Sequence, residues 1–374
     1  MSMNVLVTGG GSGGHMYPAL AIAEKFKEKG YSVYYVGGDQ LEHSMWPKEE
    51  FPYLYIHSMG REFGGVKELI QIALRNLKGL NEAKKLIKKY KPVCVIGTGG
   101  YVEVPLILAA HLLKVPSFIQ EQNAIPGRAN LFLEKFVEKV FLGFDEARSD
   151  FKNSEKILFS GNPVRDLFNK KNKTDSRKKL GYTDDEFIIL LTGGSLGAPK
   201  INEVAIELAK HVEEMDNVRM VLSTGQRYYE KISNIFKENN INTGRDTRIE
   251  VYPYINDMAD YLASSDFVIE RSGAVSVAET IAKGIPSLMI PSTYVYKNHQ
   301  FYNAKVVYDN GACILLEEKD LKIEDAVNKV LHVIKDKDYL NGMSEKAKAL
   351  YKEDTLDYIF LNVEKVINDR NKRR

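Results

Sequence analysis

The sequence predicts an α/β protein with two doubly wound, Rossmann-like parallel-sheet domains. Short apolar runs alternate with helical patterns along the whole chain, and this alternation produces a parallel sheet covered by helices on both faces. Two of the runs, residues 5–8 and 187–191, break into glycine-rich turns that lead into a helix. A chain of 374 residues also exceeds the size at which one hydrophobic core keeps growing, so two domains are expected.

The first glycine-rich turn spans residues 9–14 and precedes a helix predicted for residues 17–29. Glycine permits positive φ and close approach of a ligand, and the N–H groups of a helix N-terminus attract anions. We therefore expect this turn to hold a phosphate or a sugar. His15 stands at the end of the turn, where its imidazole could act as a general base or could instead cap the helix or bond a carbonyl.

The remaining strands follow in order. They are predicted at residues 32–36, 53–57, 93–96, 117–120 and 139–142 in the first half, and at residues 219–222, 249–251, 267–269, 287–290 and 313–315 in the second. The turn-rich stretch 160–165 marks the boundary between the two predicted domains and could be a hinge or a linker. We predict domains at residues 1–163 and 164–345, and we expect the helical segment 346–374 to cross back to the first domain.

Two turns in the second half also open onto helices. One spans residues 192–197 and precedes a helix predicted for residues 202–210, and the other, at residues 271–273, follows the strand 267–269. The helix after the second turn could hold a diphosphate at its N-terminus, and Glu279 could accept ribose hydroxyls. The alternative is a glycine needed for packing and an exposed helical glutamate.

The composition excludes several classes of protein. A net charge of +2 argues against a general nucleic-acid surface, and no apolar run approaches the roughly 20 residues that a spanning helix needs. The N-terminus leaves no room for a signal region, so a cytosolic protein is expected. Cys94 and Cys313 lie in apolar runs and are predicted to be buried thiols, and no motif predicts a tightly held metal.

A dinucleotide-binding pattern is also present. Gly9, Gly11 and Gly14 satisfy G-x-G-x-x-G, and Asp39 follows the second predicted strand. A dehydrogenase would explain the first domain. It would not need a second glycine turn in the other half, so hydride transfer is the less favoured interpretation.

Taken together, the ordered motifs resemble the MurG family of bacterial glycosyltransferases. Members of that family move N-acetylglucosamine from its UDP sugar to the lipid-linked muramoyl-pentapeptide precursor of peptidoglycan. The motifs cover nearly the whole chain: Gly10-Gly-Ser-Gly-Gly-His15, Gly99-Gly-Tyr-Val102, Glu121-Gln-Asn-Ala-Ile-Pro-Gly127, Gly161-Asn-Pro-Val-Arg165, Gly193-Gly-Ser-Leu-Gly-Ala198, Arg271-Ser-Gly-Ala274 with Glu279, and Asn298-His-Gln300 with Asn303-Ala304.

The resemblance implies a GT-B glycosyltransferase with its site in the cleft between the domains, and with no metal or cofactor. The reaction expected is an inverting displacement that gives a β-1,4 disaccharide and UDP. His15 is implied as the catalytic base, and Glu121 is implied to face the acceptor as a second catalytic residue. The residues implied to bind UDP-N-acetylglucosamine are Ser12, Gly13, Gly14, Asn123, Arg165, Ser195, Ile255, Ala274, Val275, Ser276, Val277, Ala278, Glu279 and Gln300.

The chain also departs from the family pattern. Ser12 stands where Thr is common, Gln120 replaces a His, and Glu103-Val104 replaces a small Ser-Gly pair. The last two differences concern the acceptor side. The alternatives that stay open are a UDP-sugar transferase acting on diacylglycerol, a UDP-sugar epimerase, and a regulator that binds sugar nucleotides without catalysis.

A basic segment lies in the first half. Residues 61–91 contain nine Lys or Arg against three Glu, and residues 66–90 form an amphipathic helical pattern. We expect most of the apolar stripe of that helix to be core. The basic excess predicts binding to an anionic phospholipid surface, and thus a peripheral position at the cytoplasmic face of the membrane.

Overall fold

The chain folds into two compact units in the computed structural model, which describes residues 3–38, 43–44, 46–60 and 65–372. The first unit comprises Met1–Arg165 together with Lys352–Arg374, and the second comprises Asp166–Tyr351. Asp39 of the dinucleotide pattern and residues 61–64 of the basic segment lie outside the described residues.

The first unit contains a parallel sheet whose seven described strands run in the order β3-β2-β1-β4-β5-β6-β7. The strands are β1 (Asn4–Thr8), β2 (Ser32–Gly37), β3 (Tyr53–Tyr55), β4 (Cys94–Gly97), β5 (Ser117–Glu121), β6 (Lys139–Leu142) and β7 (Ile157–Phe159). The helices are α1 (Gly13–Glu28), α2 (Val66–Tyr90), α3 (Glu103–Leu112) and α4 (Arg128–Leu133), with 3-10 helices at Glu134–Phe136, Asp145–Asp150 and Ser154–Lys156. The strand order reverses between β1 and β4, and ligands of such sheets bind where this reversal occurs.

The second unit repeats this plan, with six described strands in the order β10-β9-β8-β11-β12-β13. The strands are β8 (Phe187–Thr192), β9 (Val218–Ser223), β10 (Ile249–Tyr252), β11 (Phe267–Glu270), β12 (Ser287–Met289) and β13 (Cys313–Leu315). The helices are α5 (Asp166–Asn169), α6 (Lys173–Leu180), α7 (Pro199–Val212), α8 (Tyr229–Glu238), α9 (Met258–Ser264), α10 (Ala274–Ala282), α11 (His299–Asp309), α12 (Ile323–Val333) and α13 (Lys337–Leu350), with 3-10 helices at Tyr296–Asn298 and Glu318–Asp320. Here the strand order reverses between β8 and β11.

The last helix, α14 (Thr355–Lys372), belongs to the first unit. Its Phe360 ring lies 5.1 Å from the ring of Phe26 in an edge-to-face contact. Asp357 forms an ion pair of 2.9 Å with Lys25 of α1. The C-terminal segment therefore completes the core on the α1 side of the first sheet.

Burial explains why the strands appear as continuous apolar runs. Val5 and Val7 of β1 belong to the core on one face of the first sheet, and Leu6 between them belongs to the core on the other. Cys94 and Cys313 are buried free thiols, as predicted. The prediction of two doubly wound parallel-sheet domains is confirmed.

The start of α1 differs from the prediction. The helix begins at Gly13 rather than at residue 17, and Ser12 adopts an extended conformation at the N-cap position. His15 is therefore in the first turn of the helix and not ahead of it. The helical pattern missed this turn because glycine is a poor helix former and carries no apolar side chain.

The prediction that most of the apolar stripe of α2 is core is wrong for the first half of the helix. Ala83 and Ile87 are buried, but four side chains before them are 47 to 63% exposed: Leu69, Ile70, Leu74 and Leu77. The reason is length, since α2 has 25 residues and its neighbour α3 has 10. Among the described residues, no helix is long and apolar enough to cross a membrane.

Candidate functional site

Two glycine turns meet where the strand order of the first sheet reverses. Gly10, in the turn after β1, donates its N–H to the carbonyl of Gly99 in the turn after β4, at 3.2 Å. Gly99 and Gly100 have φ of +107° and +85°, and a Cβ on Gly100 would overlap the carbonyl oxygen of Gly10. Thr98 adds a second link by donating to the carbonyl of His15 at 2.7 Å. Glycine is required here because the two backbones touch.

His15 is held in one orientation by this pair of turns. Its Nδ1 lies 2.9 Å from the carbonyl oxygen of Gly10, an atom that can only accept a hydrogen bond. In the neutral ring the proton is therefore on Nδ1, and Nε2 carries the free lone pair. The ring also lies against Gly99, where a Cβ would be 3.0 Å from Nε2. A hydrogen bond to a carbonyl is the alternative to a catalytic role that the sequence leaves open for His15. In the structure this bond places the proton on Nδ1 and so leaves Nε2 unprotonated, as a general base requires.

Three of the predicted donor-binding residues form the N-terminus of α1. Ser12 and Gly14 are exposed and Gly13 is half-buried, and the Ser12 side chain makes no capping hydrogen bond. The first N–H groups of a helix have no acceptor within it. Gly13 and Gly14 can therefore present N–H groups to an anion or a hydroxyl.

Glu121, at the end of β5, accepts hydrogen bonds from four donors in the following loop and in α4. Its Oε1 accepts from the backbone N–H and the side-chain amide of Asn123, at 2.9 and 3.1 Å. Its Oε2 accepts from the N–H of Gly127 and the amide of Asn130, at 2.9 and 2.8 Å. The residue is 2% exposed. This arrangement suits a carboxylate that shapes the loop better than one that takes a proton from a substrate.

Sequence reasoning gave no role to three buried amides beside this loop. Gln120 donates to Asn162 at 3.1 Å, Asn162 donates to the carbonyl of Gln122 at 2.9 Å, and Gln122 donates to the carbonyl of Thr98 at 2.7 Å. These bonds tie the end of β5 to the turn after β4. A polar residue inside a strand is a signal that could have found Gln120, whereas Gln122 and Asn162 lie in the turns after β5 and β7, where polar residues are ordinary.

Glu103 is also buried, which the sequence did not indicate. It is 0% exposed, and its Oε2 accepts the N–H of Gly99 at 2.8 Å. Burial raises the pKa of Glu103 to about 8; the charge of Glu121 acts in the same direction, and the Gly99 hydrogen bond opposes them. A carboxyl group with a strongly raised pKa therefore lies behind the turn that contacts His15.

Arg165 ends the first unit. Its guanidinium carbon lies 4.1 Å from the centre of the Tyr17 ring, in a cation–π contact with α1. The predicted approach of Arg165 to the diphosphate stays a prediction.

In the second unit, the glycine turn after β8 presents Ser195 to solvent. A Cβ on Gly197 would overlap the carbonyl oxygen of Thr224 in the turn after β9, so these two turns also pack closely. Pro199 follows at the first turn of α7, where a proline loses no helical hydrogen bond.

The predicted diphosphate site is the start of α10. Gly273 is extended ahead of the helix and provides no side-chain cap, and Ser276 donates back to the Gly273 carbonyl at 3.0 Å. The N–H groups of Ala274 and Val275 have no acceptor within the helix. The remaining predicted residues follow on this helix: Val277, Ala278 and Glu279. Glu279 is 8% exposed, so it is not the exposed glutamate of the alternative interpretation.

A second buried acid lies beside this helix start. Glu270 ends β11, pairs in register with Thr192 of β8, and is 1% exposed. Burial raises the pKa of Glu270 to about 8, with hydrogen bonds from Thr280 and Ser276 opposing and the charge of Glu279 adding to the rise. The pairing places the turn after β8 next to the turn after β11.

Two other predicted residues are less accessible. The Oε1 atom of Gln300 accepts the N–H of Ser292 at 2.8 Å, so the amide NH2 is the part that can donate to a sugar hydroxyl. Ile255 is 4% exposed, so little of its surface is free to contact the nucleobase of a bound nucleotide.

The chain is similar to known glycosyltransferases over nearly its whole length. Residues 5–142 match the glycosyltransferase family 28 N-terminal domain, and residues 188–358 match the family 28 C-terminal domain. Two similar relatives are both named UDP-N-acetylglucosamine--N-acetylmuramyl-(pentapeptide) pyrophosphoryl-undecaprenol N-acetylglucosamine transferase. The one from Caldicellulosiruptor saccharolyticus is 36% identical, with 96% of each chain covered. The one from Clostridioides difficile is 36% identical, covering 99% of this chain and 90% of the relative.

Solved structures show the same fold. The crystal structure of Acinetobacter baumannii MurG matches with a TM-score of 0.75 and 26% identity, covering 97% of this chain and 99% of that one. A UDP-GlcNAc 2-epimerase from Neisseria meningitidis bound to UDP-GlcNAc matches with a TM-score of 0.67 and 13% identity, covering 98% and 100%. At that identity the second match shows the fold alone.

Proposed function

Because this chain belongs to glycosyltransferase family 28, we propose that it transfers N-acetylglucosamine from UDP-N-acetylglucosamine to a lipid-linked N-acetylmuramyl-pentapeptide. The names of relatives that match over the whole chain support the substrates. The observation in the structure that supports catalysis is the His15 imidazole, whose Nδ1 bonds Gly10 and whose Nε2 is left as a base.

The reaction is a displacement at the anomeric carbon of the donor sugar. The 4-hydroxyl oxygen of the muramoyl unit forms a bond to that carbon, and the bond from the carbon to the diphosphate oxygen breaks with inversion. Nε2 of His15 takes the hydroxyl proton, and UDP leaves with the electron pair. The products are a β-1,4 disaccharide on the lipid and free UDP.

The second unit supplies the groups that suit the leaving diphosphate. The N-terminus of α10 offers the N–H groups of Ala274 and Val275, and the turn after β8 offers Ser195. Negative charge grows on the diphosphate as the bond breaks, and oriented N–H groups at a helix N-terminus stabilise such charge. Glu279, on the same helix, is the proposed partner of the ribose hydroxyls. The donor contacts predicted for the other residues stay predictions.

Glu121 takes a positioning part in this proposal. Its two oxygens are bonded to Asn123, Gly127 and Asn130, so it fixes the loop on which the predicted donor contact Asn123 lies. A carboxylate already bonded to four N–H groups would have to break one of these bonds to accept a proton. His15 is therefore the proposed base.

We also propose that α2 holds the protein at an anionic phospholipid surface. Four large apolar side chains on its first half are exposed: Leu69, Ile70, Leu74 and Leu77. Eight Lys or Arg lie within residues 66–91. Each lysine or arginine near an anionic leaflet contributes about 1 kcal/mol, and partly inserted leucines add to this. A lipid-linked acceptor would make such a position useful.

One experiment separates this proposal from its alternatives. The protein is incubated with labelled UDP-N-acetylglucosamine and a lipid-linked muramoyl-pentapeptide, with UDP-glucose and UDP-N-acetylgalactosamine as donor controls. We expect label in the lipid fraction and UDP in solution only with the first donor. Label transferred to diacylglycerol, or a sugar epimer formed without acceptor, would replace the proposal with a rival enzyme. Donor binding without turnover would indicate a regulator.

A further inference from the structure

The buried carboxyl of Glu103 has no part in the reaction as described so far. It is the first residue of α3, and its Oε2 accepts the N–H of Gly99 at 2.8 Å. A Cβ on Gly97 would overlap this oxygen, so the carboxyl packs directly on the end of β4. Its Oε1 has no hydrogen-bond partner in the part of the chain that the structure describes.

Gly99 connects this carboxyl to the imidazole. Its N–H is bonded to Glu103, and its carbonyl accepts the N–H of Gly10 at 3.2 Å. The carbonyl of Gly10 in turn accepts the Nδ1 proton of His15 at 2.9 Å. The same glycine also lies against the ring, where a Cβ would be 2.6 Å from Cδ2 of His15. The shorter hydrogen bond of the imidazole therefore goes to Gly10, and the backbone packed against its ring is that of Gly99, while Ser12 Oγ lies 3.5 Å from the same Nδ1.

Packing alone does not call for an acid at this position. A fully buried carboxyl with one oxygen unpaired is destabilising compared with an apolar or amide side chain of similar size. What a carboxyl or amide oxygen supplies, and an apolar group does not, is an acceptor for the Gly99 N–H. Gly99 and Gly100 have positive φ and no side chains, so the backbone there depends on such bonds for its position.

We propose that Glu103 is a positioning residue for His15, acting through the hydrogen bond that fixes the Gly99–Gly100 turn against the imidazole. The proposal rests on the proposed function, because it concerns the base of that reaction. The side chain of Glu103 is 0% exposed, so it is proposed to act through Gly99 and not on a substrate directly. Removing the acceptor leaves the Gly99 N–H buried and unpaired, and the turn moves away from the ring to find another partner.

Substitutions that keep or remove the acceptor test this role. Glu103→Gln retains an oxygen for the Gly99 N–H, whereas Glu103→Ala does not. We expect Glu103→Ala to lower kcat by about 10- to 100-fold, since a misplacement of about 1 Å costs up to that much, with KM for UDP-N-acetylglucosamine unchanged. Glu103→Gln should restore kcat to near the wild-type value. A kcat for Glu103→Ala equal to that of wild type would overturn the proposal.

Another buried glutamate of the first unit, away from the predicted site residues, provides a matched control. Glu134 is 6% exposed, and its Oε1 accepts the backbone N–H groups of Lys152 and Asn153, at 2.8 and 2.5 Å. These residues form a loop to which no predicted site residue belongs. Glu134→Ala should lose stability as Glu103→Ala does while keeping its kcat. Equal losses of kcat in the two variants would mean that Glu103 is merely structural.

A double-mutant cycle asks whether Glu103 acts through His15. In a His15→Ala background, Glu103→Ala should produce no further loss of kcat, because the side chain that it positions is gone. Additive losses would contradict the proposal.

A readout that needs no turnover separates this inference from the proposed function. Nitrogen-15 spectra of the His15 ring report which nitrogen carries the proton. Glu103→Ala should shift or broaden the His15 signals, and Glu134→Ala should leave them in place. An unchanged His15 spectrum in Glu103→Ala sinks the positioning role even if the enzyme is active. If the wild-type protein is inactive but the His15 signals shift in Glu103→Ala, only the proposed function is contradicted.

Discussion

The stability of the first unit should depend on pH through Glu103. Burial raises the pKa of this carboxyl from 4.5 to about 8 in the folded protein. Between these two pH values the folded protein keeps a proton that the unfolded chain releases. The unfolding free energy therefore falls as the pH rises through this window, and it levels off above the folded pKa.

The size of the effect follows from the two pKa values. One group with an unfolded pKa of 4.5 and a folded pKa of about 8 removes about 3 to 4 kcal/mol of stability between pH 5 and pH 8. Glu103→Gln cannot titrate and retains the acceptor for the Gly99 N–H. The unfolding free energy of Glu103→Gln should therefore not show this decrease. Between pH 5 and pH 8 the stability of the variant relative to wild type should rise by about 3 to 4 kcal/mol.

Urea denaturation of both proteins at pH 5, 6, 7 and 8 measures the difference. All other titrating groups are common to the two chains and cancel when one curve is subtracted from the other. Glu270→Gln is the matching variant in the second unit, because burial raises the pKa of Glu270 to about 8 as well. A difference between Glu103→Gln and wild type that stays constant with pH would refute the reasoning, since it would mean that Glu103 ionises as readily in the folded protein as in the unfolded chain.

Three further predictions follow from the geometry. An alanine at a position with positive φ costs roughly 1 to 2 kcal/mol of unfolding free energy. Gly100→Ala should lose considerably more than this in urea denaturation and should abolish transfer, because its Cβ would overlap the carbonyl oxygen of Gly10. Gly181→Ala should lose only the cost of the positive φ, because Gly181 has φ of +81° and open space where a Cβ would lie. Glu121→Gln turns one acceptor into a donor that faces other donors, so we expect the unfolding free energy to fall by about 2 to 3 kcal/mol together with kcat; a loss of kcat at full stability would instead favour Glu121 as a catalytic acid or base. Leu74→Ser should lower the affinity for anionic vesicles, measured by sedimentation, by about tenfold, because one inserted leucine is lost. Leu361→Ser changes a similarly exposed leucine of α14 and should bind the vesicles like wild type. Equal weakening by both leucine variants, or wild-type binding of Leu74→Ser, would contradict the role of α2.

The fold could be predicted from the sequence because its strands are short and buried on both faces. Val5 to Val7 and the residues of β8 appear as apolar runs for that reason, and each is followed by glycines that mark the turn. β7 (Ile157–Phe159) was not predicted, because its short apolar run leads directly into the turn-rich stretch 160–165 that was assigned to the domain boundary. The exposed leucines of α2 were missed because periodicity shows that a helix has an apolar face, but not whether a neighbour is long enough to cover it.

The candidate site was only partly predictable. The glycine turns and His15 could be located because their residue types are unusual at those positions. The contact of the His15 ring with Gly99 could not, since it brings together two turns that lie about 90 residues apart along the chain. The same holds for Glu103, which looks like an ordinary helix-start acid in the sequence and lies buried in the structure. For Glu121 the sequence suggested a catalytic role, whereas in the structure both of its oxygens accept hydrogen bonds from the following loop and from α4.

The most direct test of the central claim is to compare the turnover of His15→Ala with its affinity for UDP. General-base catalysis by Nε2 predicts a fall in kcat of about 10²- to 10⁴-fold, with the Kd for UDP measured by calorimetry close to that of wild type. A kcat that matches the wild-type value would show that the proton is taken by another group, and a loss of UDP binding in parallel with kcat would show that His15 serves the donor and not the acceptor.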